Sequence, residues 1–410
     1  MLSMIRWLFT LLVMFTKNVQ ANSDIWDIDG KLQVSAWSSD RSLTNREGIF
    51  PATLTLRSKF KINDDLRLFA DGKIGSDDYF GGSRYSVVRE FYLDYRMQNA
   101  DVRLGKQILP WGRTDSFNPT DSLTSRDYRW LTPEQENQRF GNTGIRYAHH
   151  IKDYTITSVW LPYMRSSRIP LDQLIYIQQP DNLDNFAIKV DRTGTGLDMS
   201  LSFYSGIDTM PSLEVNNIGA TSLVNHPIQR FGGDIAWAFS SYTLRAELAY
   251  TQTNKSNEEF SGKKYDYLYT VVGLEKQFAN ELNVIVQAVW ESAFDWRSPN
   301  TWSTPDQQEL SLIQKIINQQ PARNFGGFAY RIAKKLINDT LELELSGIAL
   351  SANQGFLLQP RIRYQANDNL SLALGGDYYS GVINSILGRL RDNSTVFLEI
   401  TYAFEIGSKL

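Results

Sequence analysis

Segments of roughly ten residues with strand-like alternation follow one another along this chain, and the connections between them alternate as well. A tight turn is followed by a long polar loop, then by a tight turn again. The tight turns include Asn63-Asp64-Asp65, Asn99-Ala100, Lys152-Asp153, Ser240-Ser241, Ala279-Asn280, Asn338-Asp339 and Asn367-Asp368-Asn369. Asn and Asp tolerate left-handed backbone and bond their own main chain, which suits short hairpins. Short turns at one end and long loops at the other describe an all-β, transmembrane antiparallel β-barrel. Its turns would be periplasmic and its loops extracellular.

The faces of the segments agree. In 54–62, Leu54, Leu56, Phe60 and Ile62 share one side, while Thr55, Arg57, Lys59 and Lys61 share the other. A lysine or arginine facing mid-bilayer costs about 2–4 kcal/mol, so the basic side must face the lumen. Arg245 and Glu247 take inward positions in 242–253, as does Glu399 in 394–406. Counting gives about eighteen strands, from 28–38 to 394–406, with sixteen left open should one hairpin be a loop. An even number puts both termini in the periplasm.

Tyr and Trp recur near the strand ends: Trp37, Tyr85, Tyr95, Trp111, Tyr147, Trp160, Trp237, Tyr250, Trp290, Tyr378 and Tyr402. Such rings settle at lipid–water boundaries and are expected to form two aromatic girdles. Arg89 and Lys106 break the pattern, each falling on the nominally apolar face of its strand. A bulge that swaps faces, or snorkelling to the interface, would accommodate them.

Residues 1–21 read as an export signal. A basic start to Arg6 precedes the apolar run Trp7–Phe15, and Val19-Gln20-Ala21 offers small residues for cleavage. The barrel domain is then 22–410. Loss of Arg6 and Lys17 moves the net charge from −3 to −5, too weak a bias to suggest nucleic acid as a partner. The chain has no cysteine, which removes disulfides, thiolate metal sites and cysteine nucleophiles. His149, His150 and His226 are the only histidines, and no serine elbow or metal-ligand spacing accompanies them, so neither enzymatic activity nor a cofactor is expected.

The least ordinary stretch is Arg103-Leu-Gly-Lys-Gln-Ile-Leu-Pro-Trp-Gly-Arg-Thr-Asp-Ser-Phe-Asn-Pro-Thr-Asp121, which continues as a polar loop to about Gly141. Its Gly-Lys-Gln-x-x-x-Trp-Gly and Asn-Pro-x-Asp elements resemble a strand-to-loop feature of Gram-negative outer-membrane porins, distantly akin to alginate-export barrels. The resemblance implies a channel whose early long loop folds inward and narrows the lumen. Arg113, Asp115, Asp121, Arg126, Asp127 and Arg129 are the candidates for that constriction; a lid with its charges paired internally is the other possibility. Arg57, Lys59, Lys61, Arg361 and Arg363 form a candidate basic lumen wall that would favour anionic or hydroxylated solutes. A short helix is expected within 307–317.

The expected function is an outer-membrane porin for small hydrophilic solutes, anionic or saccharide. The alternative is a surface receptor, or a polysaccharide-export channel closed by its loops. Outer-membrane lipid and lipopolysaccharide are the expected surroundings, and a monomer is favoured over a trimer.

Overall fold

A computed structural model describes residues 25–39, 47–76, 85–130, 132–169, 176–177, 184–215, 221–253, 262 and 264–407. The export signal read in 1–21 lies outside them. Eighteen strands close into one antiparallel barrel. They are β1 (Trp26–Trp37), β2 (Ala52–Lys61), β3 (Leu66–Gly75), β4 (Tyr85–Arg96), β5 (Ala100–Gln107), β6 (Asn142–Ile151), β7 (Tyr154–Leu161), β8 (Asn185–Arg192) and β9 (Leu197–Ile207). The second half is β10 (Pro227–Phe239), β11 (Tyr242–Thr253), β12 (Tyr267–Gln277), β13 (Leu282–Ala293), β14 (Asn324–Leu336), β15 (Leu341–Leu350), β16 (Gly355–Gln365), β17 (Leu370–Ser380) and β18 (Thr395–Gly407). Each strand pairs with its neighbours, and β1 closes on β18 from Asp27↔Gly407 to Trp37↔Phe397. Closure leaves no free sheet edge, as a bilayer requires.

The tight turns work as their residues suggest. Asn63 Oδ1 accepts from the Asp65 and Leu66 amides at 3.0 and 2.8 Å, and Asn367 Oδ1 accepts from Asn369 and Leu370 at 3.0 and 2.9 Å. Asn338 and Asp339 take left-handed backbone, with φ of 53° and 64°. One connection departs from the rhythm. Residues 351–354 join β15 to β16 at the long-loop end in a turn with Ala352 and Asn353 at φ of 55° and 58°.

Outward positions carry an apolar band. On β18, Val396, Leu398, Ile400 and Tyr402 are exposed while Glu399 between them is buried. A belt of this extent on a water-facing surface would drive aggregation; in a bilayer it is the lipid-facing wall. Gly30 on β1 faces outward under the Phe404 ring, where a Cβ would lie 2.3 Å from Phe404 Cζ.

Arg89 is accommodated by a bulge. The β3–β4 register pairs Asp71 with Glu90 and Gly72 with Val88, leaving Arg89 as the extra residue and turning its side chain into the barrel. Lys106 stays outside, and its ammonium donates to the Val88 carbonyl beside that bulge. The same bulge reverses the parity of the start of β4, so Tyr85 faces inward, with its ring edge-on to Trp130 at 4.9 Å. Trp37 also points inward, stacked on Phe397 at 4.3 Å, and Trp111 lies beyond the end of β5 in a buried cluster. These three aromatics therefore leave the expected girdle. Trp160, Trp237, Trp290 and Tyr378 remain exposed on the outer wall.

At the long-loop end, residues 176–177, 212–215 and 221–224 form a small sheet. The helix expected in 307–317 is α1 (Pro305–Ile317), capped by Thr304 and Gln307 in a reciprocal box. It docks beside that sheet through a bond from Gln314 Nε2 to the Leu213 carbonyl at 3.1 Å. Lys315 is buried between the Tyr265 and Trp296 rings, 4.6 and 4.9 Å from their centroids, and donates to Tyr265 Oη at 3.1 Å. Burial, aided by Arg297, pushes its ammonium down to about 8. Between that value and the ordinary lysine range the unfolded cap holds the extra proton, so the cap should gain stability as pH rises from about 8 to about 10. Hydrogen exchange of the α1 amides, corrected for intrinsic rates, should slow across that window; Lys315→Met should abolish the trend.

Candidate functional site: a loop drawn across the lumen

The segment 108–141 leaves β5 and turns inward, and its motif residues make the turn possible. Gly105 has φ +133°, and a Cβ there would meet the Phe91 carbonyl at 2.3 Å. Gln107 is buried and its Nε2 bonds the Gly144 carbonyl on β6 at 3.2 Å. Leu109, Trp111 and Leu123 then pack on Val159, Leu161, Ala187 and Tyr204, apolar residues at inward positions of β7–β9. Burying each large apolar side chain contributes about 1.5–3 kcal/mol, so this limb is fastened to the inner wall.

Beyond Trp111 the chain reaches the wall formed by β8–β13. Gly112, at φ +98°, passes so close to Glu247 of β11 that a Cβ would lie 2.7 Å from its carboxylate oxygens. Glu247 Oε1 accepts from the Arg113 amide, from the Thr114 amide and hydroxyl at 2.6 and 2.7 Å, and from Asn118 Nδ2 at 3.4 Å. Its Oε2 accepts from the Thr120 hydroxyl at 3.0 Å and amide at 3.4 Å. The Ser116 amide bonds Gln287 Oε1 of β13 at 3.0 Å. These partners place residues 112–120 inside the barrel.

Arg113 spans three carboxylates. It meets Asp191 at 2.7 Å, Asp198 at 3.7 Å and, through Nε, Asp234. Asp115 lies 3.5 Å from Arg245, which also holds Glu275 at 2.6 Å. The return limb crosses to the opposite side. Arg89, freed inward by its bulge, donates to the Glu136 and Arg139 carbonyls at 2.9 and 3.3 Å and pairs with Asp71 at 3.2 Å. Lys31 of β1 reaches Glu134 at 3.6 Å.

The candidate constriction residues thus separate into three groups. Arg113 and Asp115 are tied to the β8–β12 wall. Asp121 sits between Arg126 at 3.7 Å and Arg139 at 4.0 Å, and Asp121 and Arg126 line a cavity of about 380 Å³ on the outer side of the loop. Asp127 and Arg129 pair with each other at 2.8 Å and face Arg168 of the next outer loop, 3.7 Å from Asp127. Neither of them lines that cavity.

A second cavity of about 380 Å³ lies between the loop and the first strands, bordered by Asp29, Thr55, Arg57, Pro110 and Asn137. The outer cavity is closed opposite the loop by Leu357, Gln359 and Arg361 of β16 and by Tyr379 of β17.

Each member of the basic wall has a carboxylate beside it. Arg57 lies 3.5 Å from Asp29 and 3.6 Å from Asp71, Lys59 is 3.5 Å from Asp27, and Lys61 is 2.6 Å from Asp64. Arg361 is 3.0 Å from Asp377, and Arg363 is 3.6 Å from Glu342. Cross-strand register produces these pairs, as with Arg57↔Asp71 and Glu342↔Arg363. A compensated wall presents little net field to an ion in transit. Converting Arg57, Lys59 and Lys61 to Gln together with their partners Asp29, Asp27 and Asp64 to Asn should therefore move the zero-current potential only slightly. A large swing towards cations in a salt-gradient recording would show that the wall does attract anions.

Sequence reasoning placed Glu247 in the lumen but gave neither it nor Asp234 a part in the site. Their signal is a like-charge pair at one register position, Asp234↔Glu247 on β10 and β11, which is destabilising unless something neutralises it. The loop does so, with Arg113 on Asp234 and its amides on Glu247.

The sequence matches no protein-family model and no curated protein. Solved structures do share the fold. The Pseudomonas aeruginosa protein OpdK, solved with vanillate, has a TM-score of 0.60 at 10% identity, over 93% of this chain and 99% of that one. OccK11 (OpdR) of the same organism gives 0.57 at 11% identity over 93% and 96%, and Acinetobacter baumannii OccAB1 gives 0.56 at 9% over 93% and 96%. The chain shares their fold, a closed antiparallel β-barrel, here of eighteen strands.

Proposed function

We propose that the mature chain, 22–410 after loss of the 1–21 signal, is a diffusion channel for small hydrophilic solutes. The position of residues 108–141 carries this reading. They enter the barrel, attach to both sides of its wall and have a polar cavity on either side of them. A loop in that position narrows a passage, and the compensated charges around it favour selection by size and hydrogen bonding over selection by sign. One chain supplies the whole arrangement, so a monomer suffices.

Refolded protein in a planar bilayer should give steady single-channel steps. A silent protein that still shows heat-modifiable gel migration would sink the channel reading. The surface receptor, or the export barrel closed by its loops, would then take its place.

A small aromatic carboxylate is the solute class best supported. Arg230 of β10 lines the outer cavity, and its guanidinium donates to Thr251 at 2.8 Å, Ser122 at 3.0 Å and Tyr267 Oη at 3.0 Å. No carboxylate among the described residues lies within ion-pair distance of it. A guanidinium has five N–H groups, so two are left for a ligand, and a half-buried guanidinium with no carboxylate in direct contact can take an anion beside it. The rings of Tyr128, Tyr267, Tyr269 and Tyr379 border the same space. Vanillate, the small molecule in the OpdK structure, is a compound of this class.

A further inference from the structure

We infer that Glu247 is the latch that holds the constriction loop in place, acting as a positioning residue for transport. This rests on the channel reading above and adds to it the side chain that sets the width of the passage.

Glu247 is 1% exposed, and no described cation pairs with it. Its carboxylate is instead saturated by the loop, receiving the amides of Arg113, Thr114 and Thr120, two hydroxyls and one side-chain amide. Backbone amides converging on one buried carboxylate form charge-assisted bonds, stronger than neutral ones and specific in direction. The surroundings are shaped for the same contact. Gly112 gives the loop the close approach and the positive φ that a side chain would forbid. Gly232 on β10 leaves the space filled by Thr120, whose Cβ lies 3.4 Å from where a Gly232 Cβ would be. The Asp234↔Glu247 register makes the wall unfavourable with the loop removed, since two carboxylates would then face each other in the lumen.

A structural role alone would put the Glu247 contacts anywhere along the loop. All of them fall within 113–120, the stretch whose partners lie on β8–β13, so loosening them frees this stretch while Leu109, Trp111 and the Arg89 anchor hold the two limbs. Glu247→Gln keeps the shape but loses the charge and places an amide donor among donors, and should release the tip without unmaking the barrel.

The absence of cysteine makes the test clean. The separation between Thr120 Cβ and a Gly232 Cβ is close to disulfide geometry, so T120C with G232C should cross-link the tip to the wall. E247Q should raise single-channel conductance roughly twofold and add open-state flicker. The triple variant T120C/G232C/E247Q should return to the wild-type conductance when oxidised and rise again on reduction. E247Q at wild-type conductance, or a triple variant indifferent to reductant, would overturn the inference. If E247Q alone fails to fold, the oxidised triple variant, reduced after insertion, gives the same comparison.

The labelling rate of T120C by a small methanethiosulfonate separates the latch from the channel. Thr120 is 2% exposed, so labelling should be slow with Glu247 present and at least tenfold faster with E247Q. A silent wild-type protein with that difference in labelling would keep the latch and refute the channel. A conducting protein with equal labelling rates would do the reverse.

Discussion

Arg113→Ala is expected to turn the channel towards cations. Arg113 is the charge that Asp191, Asp198 and Asp234 share, and Lys189, 3.1 Å from Asp191 and 3.8 Å from Asp234, cannot balance them alone. Without the guanidinium those carboxylates form an acidic patch beside the loop tip, and a ring of one sign selects by sign. Removing one partner of such a partly buried cluster costs on the order of 3 kcal/mol, so thermal stability should fall as well. Arg113→Lys restores the charge but not the planar fork that reaches three carboxylates, and should give an intermediate zero-current potential. Salt-gradient recordings on the two variants check this. An unchanged potential in Arg113→Ala would mean that ions do not pass this cluster.

Arg230→Gln is expected to abolish the preference for aromatic anions. Vanillate added from the loop side should reduce the mean current through the wild-type channel, and the variant should need roughly tenfold or more vanillate for the same effect. That factor corresponds to losing one hydrogen bond to a charged group, about 1.5–3 kcal/mol. Equal block of both proteins would remove Arg230 from the binding site while leaving the channel itself intact. Arg230→Lys separates charge from geometry, since an ammonium cannot keep Thr251, Ser122 and Tyr267 and a carboxylate together.

The barrel was legible because each strand reports its own two faces and each turn its own chemistry. Residues such as Leu56 against Arg57, or the Asn63 and Asn367 side chains that close their turns, need no distant partner to be read. What misled was parity counted through an irregular ladder. One extra residue at Arg89 inverts the start of β4, which is why Tyr85 looks lipid-facing in sequence and faces the lumen in the fold. Trp37 and Trp111 have the composition of a girdle but are used against Phe397 and the β7–β9 wall.

The site was less legible because its meaning lies in pairs far apart in sequence. Arg113 was conspicuous in its loop, yet its partners sit on β8, β9 and β10. The basic wall read from β2 and β16 loses its net field once Asp27, Asp29, Asp71, Glu342 and Asp377 take their places beside it. Two signals were present and needed register to be used: apolar residues at inward positions of β7–β9, which mark where the loop docks, and the acidic pair on β10 and β11, which marks where its tip is held.

The measurement that bears most directly on the whole account is the zero-current potential of the wild-type protein, reconstituted singly and held across a gradient of potassium chloride. A narrow passage whose charges are compensated predicts stable steps with a potential close to zero. Stable steps with a potential near the limit for either ion alone would contradict it, by showing that the lumen carries a strong net charge that these ion pairs fail to cancel.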